Sequence, residues 1–568
     1  MLKKVLISLF FILHSSFFIH AQSFETATEA VSNIGVGWNL GNTLDANNGS
    51  RMPNVVQSET YWGQPITKPE LMSMMKNAGF GAIRVPVTWF PHMDTAGNID
   101  AEWMKRVHEI VDYVLDAGLY CVLNVHHDTG ADEGSYKSWL KADESIYNNV
   151  RERYEKLWQQ IATEFKDYGE RLLFESYNEM LDTYNSWCFA SFASPSKYDA
   201  NSARSSYNAI NSYAQSFVDV VRATGGNNAK RNLVVNTYGA CSGGGTWNNH
   251  LKDPLKEMKL PTDAAGAGHI IFQVHSYPTI SPLSSVKNEV NDMISSLKNH
   301  LVAKGAPVII GEWGTSDTGA DYQSNRSTLF QFVDYFVQTA KENGIGTFFW
   351  MGLSDGSIRS LPAFSQADLA ERIVKAYHGN SFKGEFPTID DFDITYHITY
   401  TGDWQELNLC TSTINLSDYK GIRVEMAQLP AANSLQVKSY GEGGKEQYDM
   451  LGANALNSTV TFRTSSLGTK IQRITLQTMK GAQEIRLKRA FLLRKDNTEE
   501  ELKSFSPYWG CSVEMEAQSL DIPSITTTPS DSPIYNLQGQ RIHHISHPGI
   551  YIKGGKKVLF KKKKKNEK

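Results

Sequence analysis

"LLFESYNEML" (172–181) changes character halfway along its length. Its apolar start is typical of a buried strand, but Glu175 follows, and then Asn178 and Glu179 stand side by side. A carboxylate buried without a partner is costly, so strand interiors rarely carry one. The stretch therefore predicts a buried strand whose carboxyl end carries polar side chains to a functional surface, where Glu179 needs a partner.

Seven other short apolar runs accompany this one between residues 35 and 352. Amphipathic segments such as KPELMSMMKNAGF and AEWMKRVHEIVDYVLDAGL separate the runs, and they are typical of helices that end near a glycine. Eight alternations of strand and helix predict an α/β fold, a (β/α)8 TIM barrel. An open doubly wound sheet is the alternative, but no GxGxxG or P-loop follows the first run. The runs are VGWNLGN (36–42), AIRVPV (82–87), YCVLNVHH (120–127), LLFESYNE (172–179), LVVNTYG (233–239), HIIFQVHSY (269–277), PVIIGEWG (307–314) and GTFFWMG (346–352).

The helical pattern disappears after the barrel. Short segments with alternating apolar and polar residues replace it, for example FDITYHITY, GIRVEM and LQVKSY. Period-two alternation at this spacing predicts an all-β sandwich. In chain order we therefore expect a signal peptide (1–21), a barrel domain (22–387), a β-sandwich domain (388–496), a linker (497–533) and a short C-terminal tail (534–568).

The composition argues against a nucleic-acid partner. The 568 residues carry a formal net charge of −4, and no basic excess occurs outside the last dozen residues. The five cysteines are scattered and odd in number, which indicates neither a disulfide framework nor a CxxC metal site. We expect a monomer.

The N-terminus is typical of an exported protein. Lys3 and Lys4 precede the apolar run VLISLFFILHSSFFIHAQ, in which Ala21 stands at a position suited to cleavage. A membrane anchor is the alternative, but His14 interrupts the run, and no other segment is long and apolar enough to span a bilayer. We expect a secreted or cell-surface protein without a membrane span after cleavage.

The ends of the predicted barrel strands are unusually polar, and in this fold they carry the chemistry. Glu312 ends the seventh run, and the fourth and seventh strands lie across the barrel mouth from each other, so Glu179 and Glu312 can face one another. Glycosidic cleavage needs such a pair, one carboxyl to protonate the leaving oxygen and one to attack or to activate water. The alternative is that each glutamate only pairs with an arginine or caps a helix. The nearby Arg84, His275 and Tyr277 favour catalysis.

Seven motifs together resemble glycoside hydrolase family 5, the cellulase-type group of retaining (β/α)8 hydrolases. They are GWNLGNTLD, IRVPVTW, LNVHHD, FESYNE, VHSY, IGEWG and FFWM, within residues 30–378. Each falls at the end of its expected strand. Short motifs such as NE are weak singly, but their order is highly specific. The resemblance implies a β-glucan polysaccharide as substrate, endo-β-1,4-glucanase activity with retention of configuration, and no metal or organic cofactor.

The resemblance also implies roles for individual residues. Glu179 would be the general acid/base and Glu312 the nucleophile, with their carboxyl groups about 5–5.5 Å apart. Asn178 would bond the sugar 2-hydroxyl. Arg84 would lie near Glu312 and keep that carboxylate ionised. Tyr277 would donate a hydrogen bond to Glu312.

Further residues would complete the sugar site. His275 would orient Glu179, and Trp350 would offer its face to the sugar ring beside the nucleophile. HHD (126–128) is also compatible with a metal site, but the His-x-His strand pattern usual in barrel metallohydrolases is missing. The remaining expected sugar contacts are His126, His127, Asn42 and Asp45.

Two positions depart from the family pattern. Asp45 stands where relatives often have Glu, which leaves its sugar contact open, and NEML replaces the commoner Asn-Glu-Pro. The motifs favour the subfamily that includes endoglucanases, lichenases and xyloglucanases. A β-mannanase of the same fold is the nearest alternative, and a non-catalytic glycan-binding surface protein is another.

The parts after the barrel resemble known modules less closely. The sandwich resembles carbohydrate-binding modules in fold pattern alone, with Trp404 and Tyr440 as a candidate stacking platform and structural packing as the alternative. The end of the chain, YNLQGQRI followed by GIYIKGGKKVLFK, resembles the C-terminal sorting tails of the type IX secretion system. A degenerate β-hairpin tail is the alternative.

Overall fold

The computed structural model describes residues 24–519 and four short strands between 534 and 560. Within the first range it leaves out residues 135, 188–197, 247, 316–324, 453–454 and 504. The predicted signal peptide (1–21) and residues 520–533 of the predicted linker lie outside the described residues.

Eight parallel strands close into a barrel, which confirms the predicted fold class. Each strand lies within one of the eight apolar runs, since strands covered by helices are buried on both faces. The strands are β1 (Val36–Asn39), β2 (Ala82–Val85), β3 (Tyr120–Asn124), β4 (Leu172–Glu175), β5 (Leu233–Asn236), β6 (Ile270–Ser276), β7 (Val308–Trp313) and β8 (Gly346–Phe349). β1 pairs with both β2 and β8, which closes the ring.

Amphipathic helices surround the barrel and bury one face against it. Side-chain caps start two of the longest, since Asp143 and Asp199 each accept a backbone N–H of the first helical turn. The helices of the barrel domain are α1 (Ala27–Ile34), α2 (Val55–Glu59), α3 (Pro69–Ala78), α4 (Ala101–Asp116), α5 (Glu144–Glu164), α6 (Ala200–Ala223), α7 (Asp253–Glu257), α8 (Leu283–His300), α9 (Arg326–Glu342) and α10 (Ala367–His378).

The inside of the barrel has an apolar floor with a polar layer above it. Residues two apart on a strand point to the same side, so Leu173 belongs to the floor and Glu175 to the layer above. The floor consists of Ala82, Val122, Leu173, Val234, Ile271, Ile309 and Phe348. The buried polar layer consists of Asn39, Arg84, Asn124, Glu175, Asn236 and Gln273. The strand register thus places buried hydrogen-bonding groups directly below the barrel mouth.

Two antiparallel sheets follow the barrel, as predicted for a sandwich. Their strands are β9 (Phe392–Tyr400), β10 (Glu406–Cys410), β11 (Ile414–Asn415), β12 (Tyr419–Met426), β13 (Leu435–Gly441), β14 (Glu446–Met450), β15 (Asn457–Thr461), β16 (Lys470–Thr478), β17 (Gln483–Arg494), β18 (Glu499–Leu502), β19 (Ser506–Trp509) and β20 (Cys511–Ser519), with the short helix α11 (Thr464–Leu467). The first sheet has the order β14-β13-β16-β10-β19, and β11 also pairs with β16. The second has the order β15-β12-β17-β9-β20, and β18 also pairs with β17.

The structure differs from the prediction at the end of the sandwich. The predicted linker (497–533) contains three strands, which pair with sandwich strands: β18 with β17, β19 with β10 and β20 with β9. All residues of Glu499–Glu501 are exposed. Strands at the margin of a sheet are held by backbone hydrogen bonds and often carry charged side chains, so their composition is like that of a loop. The sandwich therefore continues through β20.

The barrel and the sandwich contact each other through β20. The backbone N–H of Met515 donates to Ser360 Oγ at 3.0 Å. Lys68 Nζ lies 4.0 Å from Glu514 Oε2. Both contacts involve the second sheet, which contains β20.

The tail contributes a small antiparallel sheet with the order β22-β21-β23-β24. Its strands are β21 (Ile534–Tyr535), β22 (Arg541–Ile542), β23 (Gly549–Lys553) and β24 (Lys556–Phe560), and the order follows from their pairing. Among the described residues of the chain, no helix combines the length and apolar character needed to cross a membrane.

Candidate active site

Arg84, on β2, connects the groups of the polar layer. Its fully buried guanidinium forms a double ion pair with Glu175 of β4, with Nε–Oε2 and Nη2–Oε1 distances of 2.7 and 2.8 Å. The remaining hydrogen bonds go from Nη1 to Asn39 Oδ1 (3.0 Å) and Glu312 Oε1 (2.7 Å), and from Nη2 to Asn178 Oδ1 (2.8 Å). A planar guanidinium held at two points has a fixed orientation. Glu175 therefore sets how Arg84 holds Glu312 and Asn178.

Glu312, on β7, has a strong donor on each carboxylate oxygen. Oε1 accepts from Arg84, and Oε2 accepts from the Tyr277 hydroxyl at 2.7 Å. Burial raises the pKa of Glu312, while His275, Arg84 and the Tyr277 hydroxyl act in the opposite direction. Donors to the charged form favour ionisation, so this arrangement suits a carboxylate that reacts as an anion.

Glu179 follows the end of β4 and has fewer hydrogen-bond partners among the described residues. Its Oε1 lies 2.8 Å from His275 Nδ1. Burial raises the pKa of Glu179 to about 7, although the charges of Arg84 and His127 lower it. A carboxyl group with such a pKa holds its proton in weakly acidic solution, which suits a general acid.

One strand, β6, supports both carboxyl groups. Burial lowers the pKa of His275 to about 4, so the ring is neutral. Gln273 Nε2 contacts the Nε2 of this ring at 3.3 Å, which leaves the ring hydrogen on Nδ1, where His275 donates it to Glu179. Tyr277 lies two residues further along and points to the same side, where it reaches Glu312.

The two carboxyl groups face each other across the barrel mouth. An oxygen of Glu179 and an oxygen of Glu312 lie within 4.8 Å of each other. His275 Nδ1 lies between them, 2.8 Å from Glu179 Oε1 and 3.5 Å from Glu312 Oε2. Carboxyl separations are about 5–5.5 Å in retaining glycosidases and about 6.5–9.5 Å in inverting ones. An oxygen–oxygen distance within 4.8 Å fits the shorter of these two separations.

His126 and Trp350 line the mouth beside Glu312. Their rings are parallel to within 3°, with centroids 5.7 Å apart. Burial lowers the pKa of His126 well below its usual range, so the ring is neutral. Asn124 Nδ2 lies 3.0 Å from His126 Nδ1, which leaves the ring hydrogen on Nε2, 4.0 Å from Glu312 Oε1.

Comparison with known proteins identifies the family. The model for cellulase (glycosyl hydrolase family 5) matches residues 44–355, more than half of the chain. The chain belongs to glycoside hydrolase family 5. Endoglucanase A of Clostridium longisporum is 33% identical over a stretch that covers 66% of this chain and 70% of that protein.

Solved structures of family 5 enzymes match this chain closely. A broad-specificity endoglucanase from an uncultured bacterium is 60% identical with a TM-score of 0.62, and the match covers 64% of this chain and 98% of that one. A family 5 enzyme from Prevotella bryantii B14, in complex with a xyloglucan tetradecasaccharide, is 42% identical with a TM-score of 0.55. That match covers 62% of this chain and 99% of the other.

In this family 5 protein, two clefts extend from Glu179 over different loops. One, of about 650 Å³, lies over the loops after β5 and β6 and is lined by Trp187, residues 239–244 and Tyr277. The other, of about 420 Å³, lies over the loops after β1 and β3 and is lined by Trp62, His127 and Tyr136 among others. Glu179 thus stands where the two clefts meet.

The structure differs from the sequence interpretation at Asp45. The family resemblance implies that this carboxylate contacts sugar, but it is fully buried. Its oxygens accept the backbone N–H groups of Asn42 (3.1 Å) and Thr43 (2.7 Å), and Oδ2 lies 3.7 Å from His127 Nε2. Asn42 has a left-handed φ of 58°, a conformation that asparagine tolerates. Asp45 therefore fixes the loop after β1 and the position of His127 from below the sugar surface.

Several groups that support the expected site have no role predicted from the sequence. Glu175 is recognisable only as a carboxylate in a strand, but it is the principal partner of Arg84. The same holds for Asn39, Asn124 and Gln273, each of which contacts Arg84, His126 or His275 directly. Their spacing could have identified them. Each lies two residues after a strand residue that points into the barrel, so it points into the barrel as well.

Two groups of side chains in the described part of the chain have the spacing of metal ligands. They are Asp45 with His126 and His127, and Glu179 with His275 and Glu312. Both oxygens of Asp45 already accept backbone N–H groups. In the second group, a cation would lie beside the Arg84 guanidinium, which is 2.7 Å from Glu312. Hydrogen bonding within the protein accounts for both groups.

Proposed function

We propose that the chain is an endo-acting β-1,4-glucanase that hydrolyses its substrate with retention of configuration. The observation that carries the proposal is the pair Glu179 and Glu312, whose nearest oxygens lie within 4.8 Å and whose environments differ. Glu312 has donors on both oxygens, whereas Glu179 keeps a pKa of about 7. Two carboxyl groups with such different hydrogen-bond partners fit an acid and a nucleophile.

In the first step, an ionised Glu312 oxygen attacks the anomeric carbon and forms a glycosyl ester. The bond from that carbon to the leaving oxygen breaks, and Glu179 gives its proton to this oxygen. Asn178 supports the step, because Arg84 engages its Oδ1 and leaves its NH2 group as a donor for the sugar 2-hydroxyl. Trp350 and His126 bound the sugar on the nucleophile side.

In the second step, Glu179 is the general base. It takes a proton from water, the hydroxide oxygen bonds to the anomeric carbon, and the ester bond to Glu312 breaks. Two inversions at one carbon give net retention. Glu312 leaves as a carboxylate stabilised by Arg84 and Tyr277, at 2.7 Å each.

Cleavage within a chain is supported by the clefts on two sides of Glu179. A polysaccharide bound in both clefts has sugars on each side of the bond that the catalytic carboxyl groups break. The relatives are named as endoglucanases, and one related structure holds a xyloglucan oligosaccharide. We therefore include xyloglucan and mixed-linkage glucan among the substrates, with β-mannan as the less favoured alternative.

Assays of reducing ends released from carboxymethylcellulose, mixed-linkage glucan, xyloglucan and mannan test the substrate class. We expect release from the glucans, and only background release from Glu312→Gln on the same panel. Mannan as the best substrate would support the alternative. No release from any polysaccharide would contradict the proposal and favour a glycan-binding surface protein.

Export is a separate part of the proposal. The segment 1–21 has the layout of a signal peptide, and the tail at 534–568 resembles a type IX sorting signal. We propose a secreted or cell-surface monomer whose mature chain begins near Gln22. Sequencing the N-terminus of exported protein tests cleavage, and an intact Met1 would contradict it. Light scattering after gel filtration measures the molar mass and so tests whether the protein is a monomer.

A further inference from the structure

Strand β20 of the sandwich contacts two loops of the barrel, at Lys68 and at Ser360. β20 is the last strand in the order of the second sheet, so its outer edge is not paired with any of the described strands. The backbone groups of such an edge need other partners. The Met515 N–H donates to Ser360 Oγ at 3.0 Å, and the same buried hydroxyl lies 3.5 Å from Met515 O. One serine of the barrel thus serves both backbone groups of a sandwich residue.

Arg359, the neighbour of Ser360, connects the loop after β8 to the loop after β1. Its buried guanidinium donates from Nη1 to Gly41 O at 2.8 Å and to Thr43 Oγ1 at 3.0 Å. A Cβ on Gly41 would lie 2.9 Å from the Trp350 ring, so this ring packs directly against the backbone that Arg359 holds. The position of the turn at Ser360 therefore bears on the ring that bounds the sugar beside the nucleophile.

The loop that carries Trp62 is joined to the same turn. Buried Gln64 donates from Nε2 to Asp355 Oδ1, and the Gly356 N–H donates to Gln64 Oε1 at 3.1 Å. The Trp62 ring lies edge-on to the His127 ring, with centroids 5.2 Å apart, and both residues line the smaller cleft. Both barrel loops that contact β20 are therefore connected to groups at the sugar surface.

The connection from the barrel to the sandwich is itself packed on the barrel. The Glu385 N–H donates to Asn77 O at 3.2 Å. A Cβ on Gly384 would lie 2.3 Å from Ala78 O, so only glycine allows this close approach of the two backbones. Phe386 packs against the hydrophobic core of the barrel. A connection held at these points keeps β20 against the barrel, unlike a flexible linker.

We propose that β20 positions the substrate-binding loops of the barrel, and that Ser360 is the positioning residue through which it acts. The proposal rests on the proposed function of the barrel as a glucanase. It gives the sandwich a part in substrate binding that needs no contact between the sandwich and the sugar. Ser360 holds the turn after β8, and Arg359 and Gln64 carry its position to the two loops beside the smaller cleft. Its loss affects how well sugars bind there and leaves the catalytic carboxyl groups with their partners.

Steady-state kinetics of the full chain on cellohexaose test the proposal. Ser360→Ala should raise KM by roughly threefold to tenfold, the equivalent of one hydrogen bond. The value of kcat should stay within about twofold, because binding lost equally by substrate and transition state appears in KM alone. Both limbs of the pH profile should match the parent, since Glu179 and Glu312 keep their hydrogen bonds.

Met515→Pro removes the same hydrogen bond from the sandwich side. Proline has no N–H, and the Met515 N–H donates to Ser360, so the change spares the pairing of β20 with β9 and is of the kind that edge strands tolerate. KM should rise by the factor seen for Ser360→Ala. The double variant should show no further rise, because both changes remove one interaction.

Two matched controls separate this hydrogen bond from general damage. Met515→Ala loses the side chain but keeps the N–H, so it should have the KM of the parent. Ser365→Ala removes an exposed serine of the same loop whose hydroxyl donates within the barrel, to Leu353 O at 3.1 Å, and should also match the parent. Melting temperatures identify any variant that fails to fold. If Met515→Pro does not fold, Ser360→Ala against Ser365→Ala gives the comparison.

Hydrogen exchange followed by mass spectrometry gives a second measurement that needs no activity. Peptides from residues 60–68 and 354–360 should exchange faster in Ser360→Ala and Met515→Pro than in the parent, because the loops open more often. The same peptides should exchange at the parent rate in Ser365→Ala.

An unchanged KM in folded Ser360→Ala would overturn the proposal, as would a fall in kcat at constant KM. An equal rise of KM in Met515→Ala would also overturn it, because side-chain packing and not the hydrogen bond to Ser360 would then be responsible. Failure of the proposed function looks different: the unmutated chain would release no reducing ends from any glucan, and the exchange rates would still show whether β20 holds the two loops.

Discussion

The barrel mouth and the first sheet of the sandwich each place carboxylates among aromatic rings, but the hydrogen bonds to those carboxylates differ. In the first sheet of the sandwich, Glu406 of β10 accepts hydrogen bonds from Tyr440, Thr475 and Gln477. At the barrel mouth, Glu179 accepts a hydrogen bond from His275, and its pKa is about 7.

The difference shows what separates a supporting carboxylate from a reacting one. A carboxylate with donors on both oxygens is held in one position, which suits Glu406 as a fixed acceptor. A buried carboxyl with few donors exchanges its proton near neutral pH, which a general acid/base requires. Glu312 lies between these cases, because Arg84 and Tyr277 keep it anionic while it faces the substrate.

Glu312→Gln should have the largest effect on activity. The amide cannot form the glycosyl ester, so kcat/KM should fall by roughly 10⁴-fold or more on every glucan, as for removal of a nucleophile. Mass spectrometry after mixing with an activated fluoroglycoside should show a covalent adduct in the parent and none in the variant. An adduct that persists in the variant on another residue would contradict the assignment.

Glu179→Gln should have the next largest effect on activity, and the size of that effect should depend on the leaving group. On polysaccharide, the missing acid should cost about 10²–10⁴-fold in rate. An activated aryl glycoside needs little protonation, so it should still form the ester and then stall at hydrolysis. The alkaline limb of kcat/KM, expected near pH 7 from the Glu179 pKa of about 7, should disappear on that substrate.

Azide provides the control for Glu179→Gln. This anion attacks the glycosyl ester without losing a proton, so it should restore turnover of the aryl glycoside and yield a glycosyl azide. Rescue should be absent in Glu312→Gln. If azide rescued neither variant, Glu179 would lose its assignment as acid/base.

Glu175→Gln should separate positioning from chemistry. Loss of this anion leaves the Arg84 charge to act on Glu312 alone, which lowers the Glu312 pKa and moves the acid limb of kcat/KM to lower pH. Arg84→Ala removes the positive charge and should move the same limb to higher pH. Looser positioning should reduce kcat/KM by up to about 10²-fold.

Glu175→Gln should also change the stability of the protein. Breaking a buried ion pair should lower the free energy of unfolding by about 3–5 kcal/mol. Denaturant titration of the folded variants measures that loss, and the pH profile measures the effect on Glu312. A variant that is destabilised but has an unshifted acid limb would reduce Glu175 to a structural role.

Glu406→Gln should have the smallest effect on catalysis. The amide loses one acceptor of the hydrogen-bond network in the first sandwich sheet, which should cost about 1–3 kcal/mol of stability. Both limbs of the pH profile and kcat/KM on short oligosaccharides should match the parent, because the residue lies in the other domain. A shifted profile would show that the two domains are coupled in a way that their contacts do not explain.

The barrel is predictable because apolar residues repeat with different periods in its strands and helices, and because its site residues lie at strand ends. The family resemblance implies the pairs Glu179 with His275 and Glu312 with Tyr277, and the strand ends bring both pairs together in the closed barrel. The contact of Arg84 with Glu312 is also expected, but its double ion pair with Glu175 is not, since a sequence does not say which further buried carboxylate a guanidinium will meet.

Two differences from the sequence analysis have local physical causes. Asp45 lies in a loop where backbone N–H groups are close enough to occupy both of its oxygens, so a polar side chain in a site motif ends below the surface. The region 499–519 resembles a linker in sequence because β18 is acidic and both β18 and β19 are exposed. Pairing of their backbones, which composition does not reveal, holds them in the sheets.

The configuration of the first product tests the central claim most directly. Proton NMR during the first minutes of cello-oligosaccharide hydrolysis, before mutarotation, distinguishes the two anomers. Double displacement through Glu312 and Glu179 predicts that the new reducing end appears as the β anomer and converts slowly to the equilibrium mixture. The α anomer as the first product would contradict a glycosyl ester on Glu312 and, with it, the roles assigned to both carboxyl groups.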